Sequence, residues 1–293
     1  MIDAVEAAKI YIRLHDDPGL VAACTPTEEK KAKAKAVKAA SKEPKKGTNT
    51  KEEEIPPPKD DDPDGLKLLS QEKPLEQALK LLRPLEALQV QDVDVWLTIY
   101  DVAMRRKKYL QALKALNMTK KLSPDHHELH WRIVDFRLQT SSEAALDASI
   151  KAAIDQSLNE LIPLQQSPEA FNTQYLQRVS APAGKLGTGK LGSALAVLKI
   201  HGFEAGQAES EGLVFQVLHP EAKASILDLL EGARLLQEVI KSKRVDEFKI
   251  EGQKLHPLST AFQTEQELES LRLELAGASK KAEEAKPVAF AEE

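Results

Sequence analysis

The residues that come closest to spelling a chemistry are Gly184-Lys185-Leu186-Gly187-Thr188-Gly189-Lys190-Leu191. They nearly follow G-x-x-x-x-G-K-[ST], a loop whose backbone N–H groups cradle phosphates and whose final hydroxyl holds Mg²⁺. Leu191 stands where that hydroxyl belongs. Residues 175–179, just upstream, read as a helix end rather than the strand such a loop requires. The segment is read instead as a flexible, glycine-rich connection ahead of a helix carrying Leu195 and Leu198. A second candidate is the cluster His126, His127, Glu128 and His130. His126 and His130 lie four apart, on one face of a helix, and two imidazoles so placed can ligate a metal. No third ligand accompanies them and Glu128 points elsewhere, so the cluster is read as the polar start of a helix beside Trp131, with no metal. Ser, His and Asp occur throughout, but no spacing sets them as nucleophile, base and orienter. Cys24 is read as an ordinary thiol.

The same glycines invite comparison with the acetyl-coenzyme A loop [QR]-x-x-G-x-[GA]. Gly187 and Gly189 fit it, but Gly184 occupies the Gln/Arg position and no strands flank the segment. The chain is therefore not read as a catalytic acetyltransferase, and it calls for no cofactor. One charged feature remains. Lys30, Lys31, Lys33, Lys35, Lys38, Lys42, Lys45 and Lys46 stand against a single acid, Glu43. Such a block can neutralise several phosphates in a salt-sensitive, sequence-independent way. It can also be no more than a solubilising linker. No aromatic side chains are interleaved, so base stacking is not expected.

The elements that must position these residues are helical. Aromatics make up 4% of the chain, and the 42% apolar content is carried by Leu, Ala, Ile and Val. Glu, Lys and Gln fill much of the rest, a mixture that favours helix packed on helix. One cysteine excludes an internal disulfide and fits a reducing compartment. No apolar run reaches the ~20 residues of a membrane span, and no secretory pattern opens the chain. The expectation is a soluble intracellular protein without a membrane partner. The formal net charge of −5 hides a polarised segment: residues 52–64 carry seven acids and one lysine, almost cancelling the block before them.

Four regions follow. Residues 1–18 form one helix with a stripe of Val5, Ala8 and Ile12, stopped by Asp16-Asp17-Pro18-Gly19. One such helix cannot bury its stripe alone, so it is read as the last helix of a preceding repeat in a longer solenoid, with Met1 an artificial or predicted start. Residues 19–65 are a linker, Lys-rich and then acidic with Pro56-Pro57-Pro58, and partly disordered. Residues 66–275 are continuously helical in pattern, and residues 276–293 are a small, charged, disordered tail. Within the third region Pro74 opens a helix that Pro84 ends or kinks. Later helices are expected at 125–139, 142–160, 168–179, 188–201, 220–242, 245–255 and 259–275. The caps are Asp125 and Ser167, and the longest helix carries a core face of Ile226, Leu229, Leu230, Ala233 and Ile240.

The most informative spacing lies in residues 93–126. Trp96 is followed 16 residues later by Ala112 and 28 residues later by Pro124. These are the helix-A aromatic, the close-crossing small residue and the terminal proline of a 34-residue tetratricopeptide (TPR) unit. Ile99, Tyr109 and Leu116 fill further apolar positions. Tyr100 replaces the usual glycine and Ala103 the second aromatic, so the repeat is degenerate. The fold class is all-α: a TPR-like solenoid of helical pairs, a segment of a right-handed superhelix with a charged linker.

The order of features resembles a known family. A helix from Ala7-Ala8-Lys9-Ile10-Tyr11-Ile12 to Asp17-Pro18 precedes a lysine-rich insertion. Asp62-Pro63-Asp64-Gly65-Leu66, Pro74-Leu75-Glu76-Gln77-Ala78 and Arg83-Pro84-Leu85 follow, and then the repeat with Trp96 and Ser123-Pro124. This arrangement resembles the C-terminal third of the large auxiliary subunit of the N-terminal acetyltransferase A (NatA) complex, of fungal type. The likeness is best over residues 1–138 and weaker beyond. It implies a non-catalytic, cytoplasmic, ribosome-associated scaffold that wraps a separate catalytic subunit, with the acetyl-coenzyme A chemistry in that partner. It also implies ribosomal RNA contact through Lys30 to Lys46 and docking of a HypK-type regulator. The alternative reading is a TPR adaptor or co-chaperone that clamps peptide termini; Arg105-Arg106-Lys107-Lys108 is its one comparable basic cluster.

Overall fold

The computed structural model describes residues 2–20, 65, 69, 72–143, 146–180, 186–264 and 266–273. The regular structure among them is all helical, with helices packed in pairs as in a TPR-like solenoid. Two compact units are divided at Ser123 and Pro124, inside the segment 66–275. The lysine block, Cys24, the acidic and proline-rich stretch, Gly184, Lys185 and the tail from 276 lie outside the described residues.

The first unit holds α1 (Ile2–Asp16), α2 (Pro74–Ala87), α3 (Val93–Arg105) and α4 (Tyr109–Leu122). The stripe on α1 is buried at Val5, Ala8 and Ile12, widened by Tyr11 and Leu14. Asp17 ends the helix: its carboxylate accepts from Gly19 N–H at 3.0 Å. Pro74 occupies the first turn of α2, where its missing N–H costs nothing. Of the two outcomes expected at Pro84, an end or a kink, the end does not occur; α2 continues to Ala87. The proline falls in the last turn, so one intrahelical bond is forfeited. Leu88 and Val90 N–H groups still close the end on the carbonyls of Pro84 and Leu85. Asp92 caps α3 through Asp94 N–H at 2.9 Å. Only Arg106 to Lys108 separate α3 from α4, so the two lie antiparallel. The turn closes through Lys108 N–H on Ala103 O at 2.8 Å, with Lys107 at φ 55° where glycine is usual.

The second unit begins with α5 (His127–Ser142), α6 (Ala148–Leu161) and α7 (Pro168–Val179). α7 has the expected bounds, and Ser167 caps it through Ala170 N–H at 3.1 Å. The cap of α5 is His126, not Asp125, which instead pairs with Arg178 at 3.2 Å. α6 starts at Ala148 rather than 142, because Asp147 turns its carboxylate onto Ser149 N–H and starts a new helix there.

Next comes α8 (Leu186–Phe215), the longest helical run among the described residues and the one least foreseen. Gly202, at φ 77° and ψ 173°, breaks it into limbs 186–201 and 203–215; only glycine adopts that backbone readily. The limbs fold back on each other: Ser210 Oγ donates to Ala194 O at 2.8 Å, and Gly206 lies against Val197. The sequence marked the first limb only, because the second carries two glycines and has its large apolar residues only at its two ends.

The expected helix over 220–242 divides too. Residues 216–218 and 220–222 are short 3₁₀ turns, and α9 runs over Ile226–Arg234. It begins with a reciprocal capping box, Ser225 with Asp228. A wide π-type stretch, Leu235–Val239, continues it. Along the two stretches Leu229, Ala233, Leu235, Leu236 and Ile240 are buried, whereas Leu230 is 37% exposed. α10 (Val245–Leu255) has the expected bounds, and its Phe248 packs against Gly232 of α9. After it, among the described residues, residues 266–273 are helical and residues 259–264 are not, because Thr264 and Glu267 cap one another at the start.

Candidate functional site

In the first unit the positions marked by spacing form the centre of the α3–α4 pair. Trp96, Ala112 and Leu116 are fully buried, and Ile99 and Tyr109 nearly so; Pro124, just past the unit, is exposed in the turn after α4. Trp96 keeps its indole N–H satisfied by Val90 O at 2.8 Å, which lets a polar edge sit inside an apolar site. Tyr100 and Ala103 are buried as well, so the departures from the repeat pattern fill space rather than leave it. Glu86 of α2 accepts from Gln111 at 2.8 Å and Lys114 at 2.9 Å, fastening α2 to α4. At the α3–α4 turn Arg105 makes a forked contact with Asp16 of α1, Nε to Oδ1 at 2.8 Å and Nη2 to Oδ2 at 2.6 Å. The basic cluster Arg105 to Lys108 is thus at a turn, with its first member engaged in holding α1.

The second unit contains a buried polar cluster that spacing did not reveal. His130 Nε2 and Ser193 Oγ both meet Asn172 Oδ1 at 2.9 Å. Ser193 donates, and an amide oxygen only accepts, so Nε2 of His130 carries a hydrogen. The imidazole is stacked between Tyr175 and Phe171, with ring centroids at 3.7 and 5.0 Å. Burial lowers its pKa from 6.5 to about 4, partly opposed by the Asn172 bond, so it is neutral near pH 7. Asn172 on α7 and Ser193 on α8 thereby fix α5 between them. Ser193 donates to an amide rather than to a base, so the cluster positions helices and activates no nucleophile.

The histidines do not assemble a metal site. His126 spends Nδ1 on Glu128 N–H at 3.3 Å, while His130 turns into the core. No group of metal-competent side chains exists among the described residues. Glu128 is bonded to Arg132. Burial alone would raise its carboxyl, but the guanidinium and His127 outweigh that and hold the pKa at about 2. His127 is itself pushed down by burial, partly countered by Glu128, Glu231 and Asp228.

The glycine-rich segment proves to be a packing device. From Leu186 it is helical rather than a loose connection. A Cβ on Gly189 would stand 2.5 Å from a methyl of Val179, and one on Gly192 would stand 2.6 Å from His127 O. These glycines let the first limb of α8 lie against α5 and α7. A signal was available: Gly189, Gly192 and Ser193 recur at near-helical spacing, ahead of two alanines. Arg137, also unforeseen, holds the α6–α7 loop by donating to the carbonyls of Pro163, Leu164 and Gln166 at 3.1, 2.7 and 2.5 Å.

With these packed pairs established, comparison with known proteins bears mainly on the first unit. Residues 2–119 match the family described as "N-terminal acetyltransferase A, auxiliary subunit". Over this span the chain is similar to the NatA auxiliary subunits. The match covers α1, the segment between α1 and α2, and most of α4, and it ends short of residue 138. A similar relative is the "N-terminal acetyltransferase A complex auxiliary subunit NAA15" of Arabidopsis thaliana, 31% identical over 166 residues. That alignment takes in 48% of this chain and 18% of the plant protein. The "N-alpha-acetyltransferase 16, NatA auxiliary subunit" of Homo sapiens is 26% identical over 112 residues, 38% of this chain and 13% of the human protein. The chain therefore spans less than a fifth of the length of these curated relatives. No helix among the described residues is long and apolar enough to cross a membrane.

Proposed function

We propose that this chain serves as a scaffolding segment of a NatA auxiliary subunit, a non-catalytic part of a complex whose acetyl transfer is done by a partner subunit. The observation that carries the reading is the family match over residues 2–119, laid on a unit built of packed helical pairs. The mechanism is geometric. Helical pairs stacked as a TPR-like, right-handed superhelix bury a continuous core and present side chains at fixed intervals to partners. Those partners are the NatA catalytic subunit, a HypK-type regulator and the ribosome, which places the protein in the cytoplasm during cotranslational N-terminal acetylation. Ribosomal RNA is met through Lys30, Lys31, Lys33, Lys35, Lys38, Lys42, Lys45 and Lys46, whose charges release counterions from phosphates.

The test is a tagged pull-down from a eukaryotic lysate at two salt concentrations, with the native chain and a variant carrying Gln at those eight positions. NatA components recovered with both baits, and ribosomal RNA recovered by the native chain at low salt only, is the expected outcome. In direct titration against RNA, every phosphate that the Gln variant leaves unneutralised should reduce the slope of log K on log salt by about 0.7–0.9. Recovery of chaperones without NatA components would assign the chain to the TPR adaptors instead. Equal RNA recovery by both baits would remove the lysine tether.

A further inference from the structure

We draw no further inference here: the strongest candidate, the open groove of about 1060 Å³ between α10 and the helix at residues 266–273, floored by Ile250, Phe262 and Leu271 under a rim of Lys249, Lys254 and Glu267, is an unpartnered face and nothing in the structure shows what covers it.

Discussion

The centre of the α3–α4 pair and the middle of α5 are both buried, with opposite chemistry. In the first, Trp96, Ile99, Ala112 and Leu116 meet across a tight turn, and the polar groups buried there, the Trp96 N–H and the Thr98 and Thr119 hydroxyls, bond locally to the carbonyls of Val90, Asp94 and Ala115. In the second, α5 buries His130, Arg132, Asp135 and Thr140 beside Leu129, Ile133 and Phe136. Lys199 closes on Asp135 at 3.1 Å, and His130 on Asn172 at 2.9 Å. Apolar burial is non-directional and indifferent to protonation. A buried polar cluster is directional, and it fails as a unit when one member changes charge. One region is therefore held by bulk, the other by the state of its titratable groups.

The sharpest way to break this comparison is Trp96→Ala, which removes the largest fully buried side chain of the first unit. A loss of ~3–5 kcal/mol is expected on chemical denaturation followed by circular dichroism. An unchanged midpoint would refute the repeat register. Mild acid should instead act on the second unit. A histidine with a folded pKa near 4 and an unfolded value near 6.5 contributes stability that is complete above pH 6.5. That contribution declines as pH falls from 6.5 towards 4, a loss of roughly 3 kcal/mol from His130 alone. Glu128 adds to it between its ordinary pKa near 4.5 and about 2, because its charged form is the one the fold favours. The chain has two tryptophans, one in each unit, so Trp131 fluorescence in a Trp96→Phe background reads the second unit by itself. A flat response of that signal between pH 7 and 4 would contradict the neutral, buried His130.

A smaller effect is expected at the helix crossing. Gly192→Ala places a methyl 2.6 Å from a backbone oxygen of α5, which cannot rotate away as a side chain would. About 1–3 kcal/mol should be lost, again read through Trp131. Gly212→Ala is the control, because nothing lies within 4 Å of the added methyl. If both glycine substitutions behave alike, close approach is not what Gly192 serves. Least is expected of Arg105→Ala. Its forked contact with Asp16 is partly exposed, so at most ~1 kcal/mol should go, and less in high salt. A loss as large as that of Trp96→Ala would mean that α1 is held by this pair rather than by its apolar stripe.

Much of the first unit was legible residue by residue. Trp96, Ala112 and Leu116 could be placed because a helical repeat fixes the distance between a large side chain and the small one that faces it. The stripe on α1, and in the second unit the cap at Ser167, are local signals, since they depend on neighbours within four residues; Asp125 was named as a cap too, but His126 beside it took that place. The second unit was less legible where a helix ended for non-local reasons. Residues 203–215 lack an apolar stripe, and their helix is supported by folding back against residues 194–198. Leu230 fell outside the core because tertiary packing buried Leu229 and Ala233 on the neighbouring side of α9. His130 reads as a polar residue near a helix start, and nothing within its own helix says that Asn172, 42 residues away, will receive it.

The sequence alone determined that the chain is helical, that Trp96, Ala112 and Leu116 lie at the core of one helical pair, and which family its first part resembles. All three rest on residue type and on spacing within one or two helices, and those survive without coordinates. Only the tertiary structure decided that the glycines after residue 186 serve packing rather than phosphate, that His130 is a core residue rather than a ligand, and that Arg105 is engaged with Asp16. Each depends on which surfaces meet after the chain has folded back. A close approach or a buried hydrogen bond belongs to two distant segments together and is encoded in neither one.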